Sequence, residues 1–123
     1  MLVHDQPVFH DVARALLVRD GDFDVIAEAA DGIDAVTMVE SVGPDVVIMD
    51  IQMSAMSGIE ATRKILLENP IARIVLTSMT AENEYLRLVR EIGALAFIGK
   101  RNLNASSLRS ILSKGPSNEP LAA

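Results

Sequence analysis

The segment Pro44-Asp45-Val46-Val47-Ile48-Met49-Asp50 decides the fold. A Gly43-Pro44 break precedes four consecutive apolar residues, three of them β-branched, and an acid closes the run. A strand with one wet face alternates apolar and polar residues. An unbroken apolar run is what a central parallel strand needs when both its faces are covered. The run therefore predicts a buried strand over Val46–Met49, with helices above and below. Ile74, Val75 and Leu76 read the same way, within a strand over Arg73–Thr77. Shorter strands are expected at Leu2–His4, Asp24–Glu28 and Ala96–Ile98.

Helix-period segments fill the intervals. Val8–Arg19 repeats Val8, Val12, Ala15 and Leu16 on one face. Ile33–Ser41 repeats Ile33, Val36 and Val39. Gly58–Glu68 repeats Ile59, Thr62, Ile65 and Leu66. Ala81–Ile92 offers Tyr85, Leu86, Leu88, Val89 and Ile92. Ala105–Leu112 offers Leu108, Ile111 and Leu112, with Asn104 as its N-cap. Gly43-Pro44, Asn69-Pro70 and Gly93 stop the second, third and fourth helices. The result is a strand–helix unit repeated five times, which predicts an α/β domain: a five-stranded parallel sheet with right-handed crossovers and helices on both faces. The expected domain covers residues 1–113. Residues 114–123, most of them in Gly115–Ala123 (GPSNEPLAA), have the composition of a linker or tail.

Composition narrows the function. With 123 residues the chain suits one domain, and with half of them hydrophobic it is not disordered. No cysteine is present, which excludes a disulfide framework, thiol catalysis and cysteine-ligated zinc. No apolar run approaches the ~18 residues of a membrane span, and no basic leader precedes an apolar stretch, so the expected location is cytoplasmic. A net charge of −6 argues against gripping phosphate backbones. Three phenylalanines and one tyrosine are too few for a base-stacking platform.

In an open parallel sheet, ligands sit beyond the carboxyl ends of the strands. The first strand ends in His4, Asp5 and Gln6. The third ends in Asp50, with Gln52 two places on. The fourth ends in Thr77 and Ser78, and the fifth in Lys100. Two carboxylates, a hydroxyl and an ammonium are thus sent to one rim. Hard oxygen donors of this kind can hold Mg²⁺. A carboxylate can also attack phosphorus to give an acyl phosphate, and phosphoryl transfer needs charge neutralisation and positioning above all.

These residues resemble those of the response regulator receiver domain of two-component signalling, and most closely its NarL/FixJ (LuxR-type) branch. The similarity runs from about Leu2 to Leu112. The branch's Asp-Asp-His-Pro turn is similar to His4-Asp5-Gln6-Pro7 here. The segment 44–50 is followed by Gln52, Met53, Met56, Gly58, Ile59 and Glu60, close to the family's Met-Pro-Gly-Met-Asp-Gly loop. Leu76-Thr77, Gly93-Ala94 and Lys100 fit the switch threonine, the helix–strand turn and the family lysine.

The resemblance implies a flavodoxin-like, CheY-like (βα)5 fold and a phosphoacceptor signalling domain rather than a turnover enzyme. It implies that Asp50 takes phosphate from a sensor histidine kinase. Asp5, Asp50 and the main-chain carbonyl of Gln52 would hold Mg²⁺, and Thr77 and Lys100 would contact phosphoryl oxygens. Thr77 and Phe97 would switch a surface that controls a homodimer and, through an attached DNA-binding domain outside this chain, transcription. Three departures stand out. His4 replaces the first acid, which predicts weaker Mg²⁺ binding, since imidazole is a poor Mg²⁺ partner. Ser54 and Ser57 replace the loop proline and aspartate.

Each residue also has a plain structural reading: Asp50 and Asp5 as capping acids, Lys100 as a solvated base, Thr77 and Phe97 as strand and core. His4 and His10 read as structural or surface residues. A pseudo-receiver that binds a partner or ligand without phosphorylation is the alternative function. An aspartate-nucleophile phosphatase is disfavoured, because its general acid would fall at Gln52, which has no proton to give a leaving group.

Overall fold

In the computed structural model, residues 1–19, 21–79 and 83–114 are described; for 83–85 and 114 this covers the backbone alone. The elements are β1 (Leu2–Val3), α1 (Pro7–Val18), β2 (Glu28–Ala29), α2 (Gly32–Val42), β3 (Val47–Asp50), α3 (Gly58–Glu68), β4 (Ile74–Ser78), α4 (Asn83–Ile92), β5 (Ala96–Gly99), a 3₁₀ turn (Lys100–Asn102) and α5 (Ala105–Lys114). The strands form one sheet in the order β2-β1-β3-β4-β5, and every pairing is parallel. This is the five-stranded α/β sheet that the apolar run of β3 predicts.

Successive strand residues point to opposite faces, and β3 supplies both sides of the core. Val47 and Met49 join Ala35 and Val39 of α2, Ala61 and Ile65 of α3, and Val89 of α4. Val46 and Ile48 join Ala13 and Leu17 of α1 and Leu108 of α5.

Local chemistry fixes the helix ends. Asp31 accepts the Asp34 amide at 2.8 Å and Ser57 accepts that of Glu60 at 3.1 Å. Asn104 accepts the Ser107 amide at 2.8 Å, the cap expected from its position. Gly43 ends α2 at φ +62°, a conformation that side-chain-bearing residues rarely adopt.

The structure corrects two local readings. The second strand was expected at Asp24–Glu28, but β2 is Glu28–Ala29, in register with Leu2 and Val3. Its ladder can be no longer than β1, and Asp24 and Ile26 face solvent upstream of it. On α1 the buried residues are Ala13 and Leu17, with Phe9 half-buried, while Val8, Val12 and Leu16 are exposed. Two apolar stripes, 8-12-16 and 9-13-17, run side by side, and periodicity alone does not choose between them. The α4 reading began at Ala81 and used Tyr85; Ala81 and the Tyr85 side chain lie outside the described residues. So does the expected linker, except that α5 runs through Lys114.

Candidate functional site

The parallel ladder carries the strand ends to one edge. Asp50 closes β3, only 2% exposed, and pairs in register with Thr77 of β4. The close approach of α3 sets the floor beneath it. Gly58 donates its amide to Ile51 at 2.9 Å, and a Cβ at Gly58 would fall on the Asp50 carbonyl oxygen. Only glycine lets the start of α3 sit so close to the end of β3.

Four groups surround the Asp50 carboxylate. The Gln52 amide donates to Oδ1 at 3.3 Å. Lys100 Nζ stands 3.4 Å from Oδ2, and His4 Nε2 stands 3.1 Å from the same oxygen. Asp5 completes the rim: His4, Asp5 and Asp50 each bring one metal-capable atom, all within 4.8 Å of one another. Thr77 Oγ1 is fully buried, and among the described residues it has no hydrogen-bond partner. An orphaned hydroxyl costs roughly 1–3 kcal/mol, so its presence beside a buried acid marks a place where an acceptor belongs. Phe97 lies one strand farther along, opposite Leu76, half-buried against the α2–α4 side of the core.

The expected set Asp5, Asp50, Gln52, Thr77 and Lys100 is therefore brought together, with Phe97 on the adjoining strand. Two residues do more than the sequence reading gives them. His4, placed on the rim where the family has its first acid and read as structural or on the surface rather than as a ligand, is 2% exposed at the heart of the site. Its ring stacks on Phe9 at 4.4 Å, its Nδ1 accepts the Gln6 amide at 2.9 Å, and its Nε2 lies 2.6 Å from Lys100 Nζ. Phe9 serves both neighbours, because Lys100 Nζ also sits 4.9 Å from its ring centre. The sequence signal was an aromatic in the first turn of α1, directly after the polar 4–6 turn. Burial, its largest effect, lowers the His4 pKa; Asp50 opposes that shift and Lys100 reinforces it.

The donor set suits a hard divalent cation. Asp5 and Asp50 offer carboxylate oxygens, and such an ion keeps several waters. It carries one acid fewer than a turn with two acids.

A 2-1-3-4-5 parallel sheet with a buried acid, a hydroxyl and an amine at its carboxyl rim defines a class of α/β signalling domain. The chain belongs to the response regulator receiver domain family, whose sequence model matches residues 1–113. It is 31% identical over 100 residues to the transcriptional regulatory protein DegU of Brevibacillus brevis, matching 81% of this chain and 42% of DegU. It is 34% identical over 100 residues to the chemotaxis protein CheY of Listeria monocytogenes, 81% of this chain and 84% of CheY. The crystal structure of a LuxR-family two-component response regulator from Aurantimonas sp. superposes with a TM-score of 0.87 at 31% identity, covering 98% of this chain and 88% of that one. Among the described residues no helix is long and apolar enough to cross a membrane.

Proposed function

We propose that the chain is a phosphoacceptor switch in which an Asp50 carboxylate oxygen attacks the phosphorus of a kinase phosphohistidine. The oxygen–phosphorus bond forms as the phosphorus–nitrogen bond breaks, and the histidine leaves with its lone pair. Lys100 and the Thr77 hydroxyl receive the phosphoryl oxygens. Asp5, Asp50 and the Gln52 carbonyl would hold Mg²⁺, which supplies charge neutralisation at the transferring group. Drawing Thr77 toward the phosphoryl group frees space for Phe97 to turn inward, and this biases the α4–β5–α5 surface between two states. The likeness to the transcriptional regulatory protein DegU and to LuxR-family response regulators supports an output through a DNA-binding domain outside this chain; in this reading a homodimer is the responding assembly. A sensor histidine kinase is the donor, and a cytoplasmic location follows from that partner.

The observation that carries this reading is the orphaned Thr77 hydroxyl, in register beside a buried carboxylate that Lys100 already approaches. The test is intact mass after incubation with acetyl phosphate and Mg²⁺. A gain of about 80 Da, one phosphoryl group in place of a proton, lost in Asp50→Asn, supports it. No gain in the unsubstituted protein overturns it in favour of a non-phosphorylated binding domain.

A further inference from the structure

The His4 ring meets more demands than one lone pair can satisfy. The Gln6 amide approaches Nδ1 at 2.9 Å and needs an acceptor there. Asp50 Oδ2 lies 3.1 Å from Nε2 and needs a donor. Lys100 Nζ, 2.6 Å from the same nitrogen, has no lone pair and also needs an acceptor. The neutral ring with its proton on Nε2 satisfies Gln6 and Asp50; it opposes Lys100 and turns a lone pair toward Asp5 Oδ1, which at 3.6 Å lies beyond hydrogen-bond distance of Nδ1 and is partly exposed. The neutral ring with its proton on Nδ1 satisfies Lys100 but sets an N–H against the Gln6 N–H and a lone pair against Asp50. The doubly protonated ring opposes both Gln6 and Lys100. The Gln6 amide is main chain and fixed, whereas Lys100 is flexible and has two other contacts, Asp50 Oδ2 at 3.4 Å and the Phe9 face at 4.9 Å.

We infer that His4 is a positioning residue, locked by the Gln6 amide with its proton on Nε2. From there it donates to Asp50 Oδ2 and holds the acceptor carboxylate in the place where an acid would otherwise help to attract a cation. The inference rests on the reading of Asp50 as the acceptor, and it goes beyond weak Mg²⁺ affinity. His4 is not merely a poor ligand here, because the nitrogen 3.1 Å from Asp50 Oδ2 presents a hydrogen. A cation approaching Asp50 Oδ2 meets an N–H pole, and the Asp50 charge is already shared by three donors, His4, Lys100 and the Gln52 amide. The site is pre-neutralised by its own side chains.

Gln, whose terminal N–H can reach the same place as Nε2–H, should preserve this arrangement. Met, which fills the space without a donor, should not. The experiment combines two measurements on the unphosphorylated protein. Long-range ¹⁵N–¹H NMR of His4 reads the tautomer, with Nε2 bearing the proton and Nδ1 of the bare, accepting type as the expected result. Mn²⁺ binding is then followed by paramagnetic broadening in the unsubstituted protein, His4→Gln and His4→Met. His4→Met should bind Mn²⁺ about tenfold more tightly, the scale of one hydrogen bond to a charged acceptor, while His4→Gln stays near the unsubstituted protein. A proton on Nδ1 overturns the inference. So does a His4→Met protein with no gain in Mn²⁺ affinity, including no binding by any of the three. Should His4→Met fail to fold, the tautomer decides alone. Neither readout needs phosphoryl transfer, so failure of this inference and failure of the phosphoacceptor reading are told apart by the acetyl phosphate experiment.

Discussion

Acidification should destabilise this protein through His4. The ring is 2% exposed, between Phe9, Lys100 and Asp50, and burial lowers its pKa from the ordinary 6.5. The unfolded chain recovers that ordinary value, so below pH 6.5 it binds a proton that the fold declines. Stability therefore rises with pH across this window: it is complete above the unfolded pKa and drains away as pH falls toward the folded one. The loss between pH 7.5 and 5.5 is at most about 1.4 kcal/mol, one pKa unit's worth, reached when the folded ring stays fully neutral. Urea unfolding followed by far-ultraviolet circular dichroism would show it as a midpoint lowered by roughly 0.5–1 M for a domain of this size. His4→Gln is the control, because Gln does not titrate and every other group is shared. The difference between the two proteins isolates His4, and the substituted protein should have the flatter profile. Parallel profiles, or a gain in stability of the unsubstituted protein on acidification, would refute the reasoning.

Thr77→Val should leave stability unchanged or raise it by up to about 1 kcal/mol, because it removes a buried hydroxyl that has no partner; the same variant should respond poorly to acetyl phosphate in a limited-proteolysis assay of the switch. Gly58→Ala should cost about 1–3 kcal/mol in urea unfolding, since the new methyl meets main chain at Asp50 and Ile51 rather than a flexible side chain. Ser57→Ala removes the α3 cap on the Glu60 amide and should cost about 1 kcal/mol; no change in the unfolding midpoint would show that the cap is dispensable.

The sequence shows Asp50, Thr77 and Lys100 clearly for one physical reason. Each ends a strand, and parallel strands place all their carboxyl ends on one rim, so position along the chain becomes position in space. The core of β3 was equally plain, because an unbroken apolar run has only one economical home. The place of His4 on the rim was legible, but its burial was not. Its type and number say nothing of burial, which depends on Phe9 of α1 folding back over the 4–6 turn and on Lys100 arriving from the far edge of the sheet. The α1 face was illegible for a simpler reason: adjacent apolar stripes give nearly the same periodicity. The short β2 followed from its partner, since a strand's ladder is set by its neighbour as much as by its own residues.

These two kinds of legibility meet at the charge of the site. With a neutral ring at position 4, the carboxylates of Asp5 and Asp50 and the ammonium of Lys100 leave one net negative charge at the rim. An acid at position 4 would leave two. A divalent cation is drawn by that charge, and so is the developing demand for neutralisation when a phosphoryl group arrives. A site with less of it gives up affinity for the cation and gains a carboxylate already held by side chains. Protonating His4 would remove the last net negative charge, so acid should weaken Mn²⁺ binding as pH falls through the lowered pKa of the folded ring, below the window in which the fold first weakens. His4→Gln, whose residue 4 carries no titratable group, should bind Mn²⁺ with an affinity that varies less as pH falls below the ordinary histidine value of 6.5. Equal pH dependence in the two proteins would mean that the ring contributes nothing to the field the cation feels.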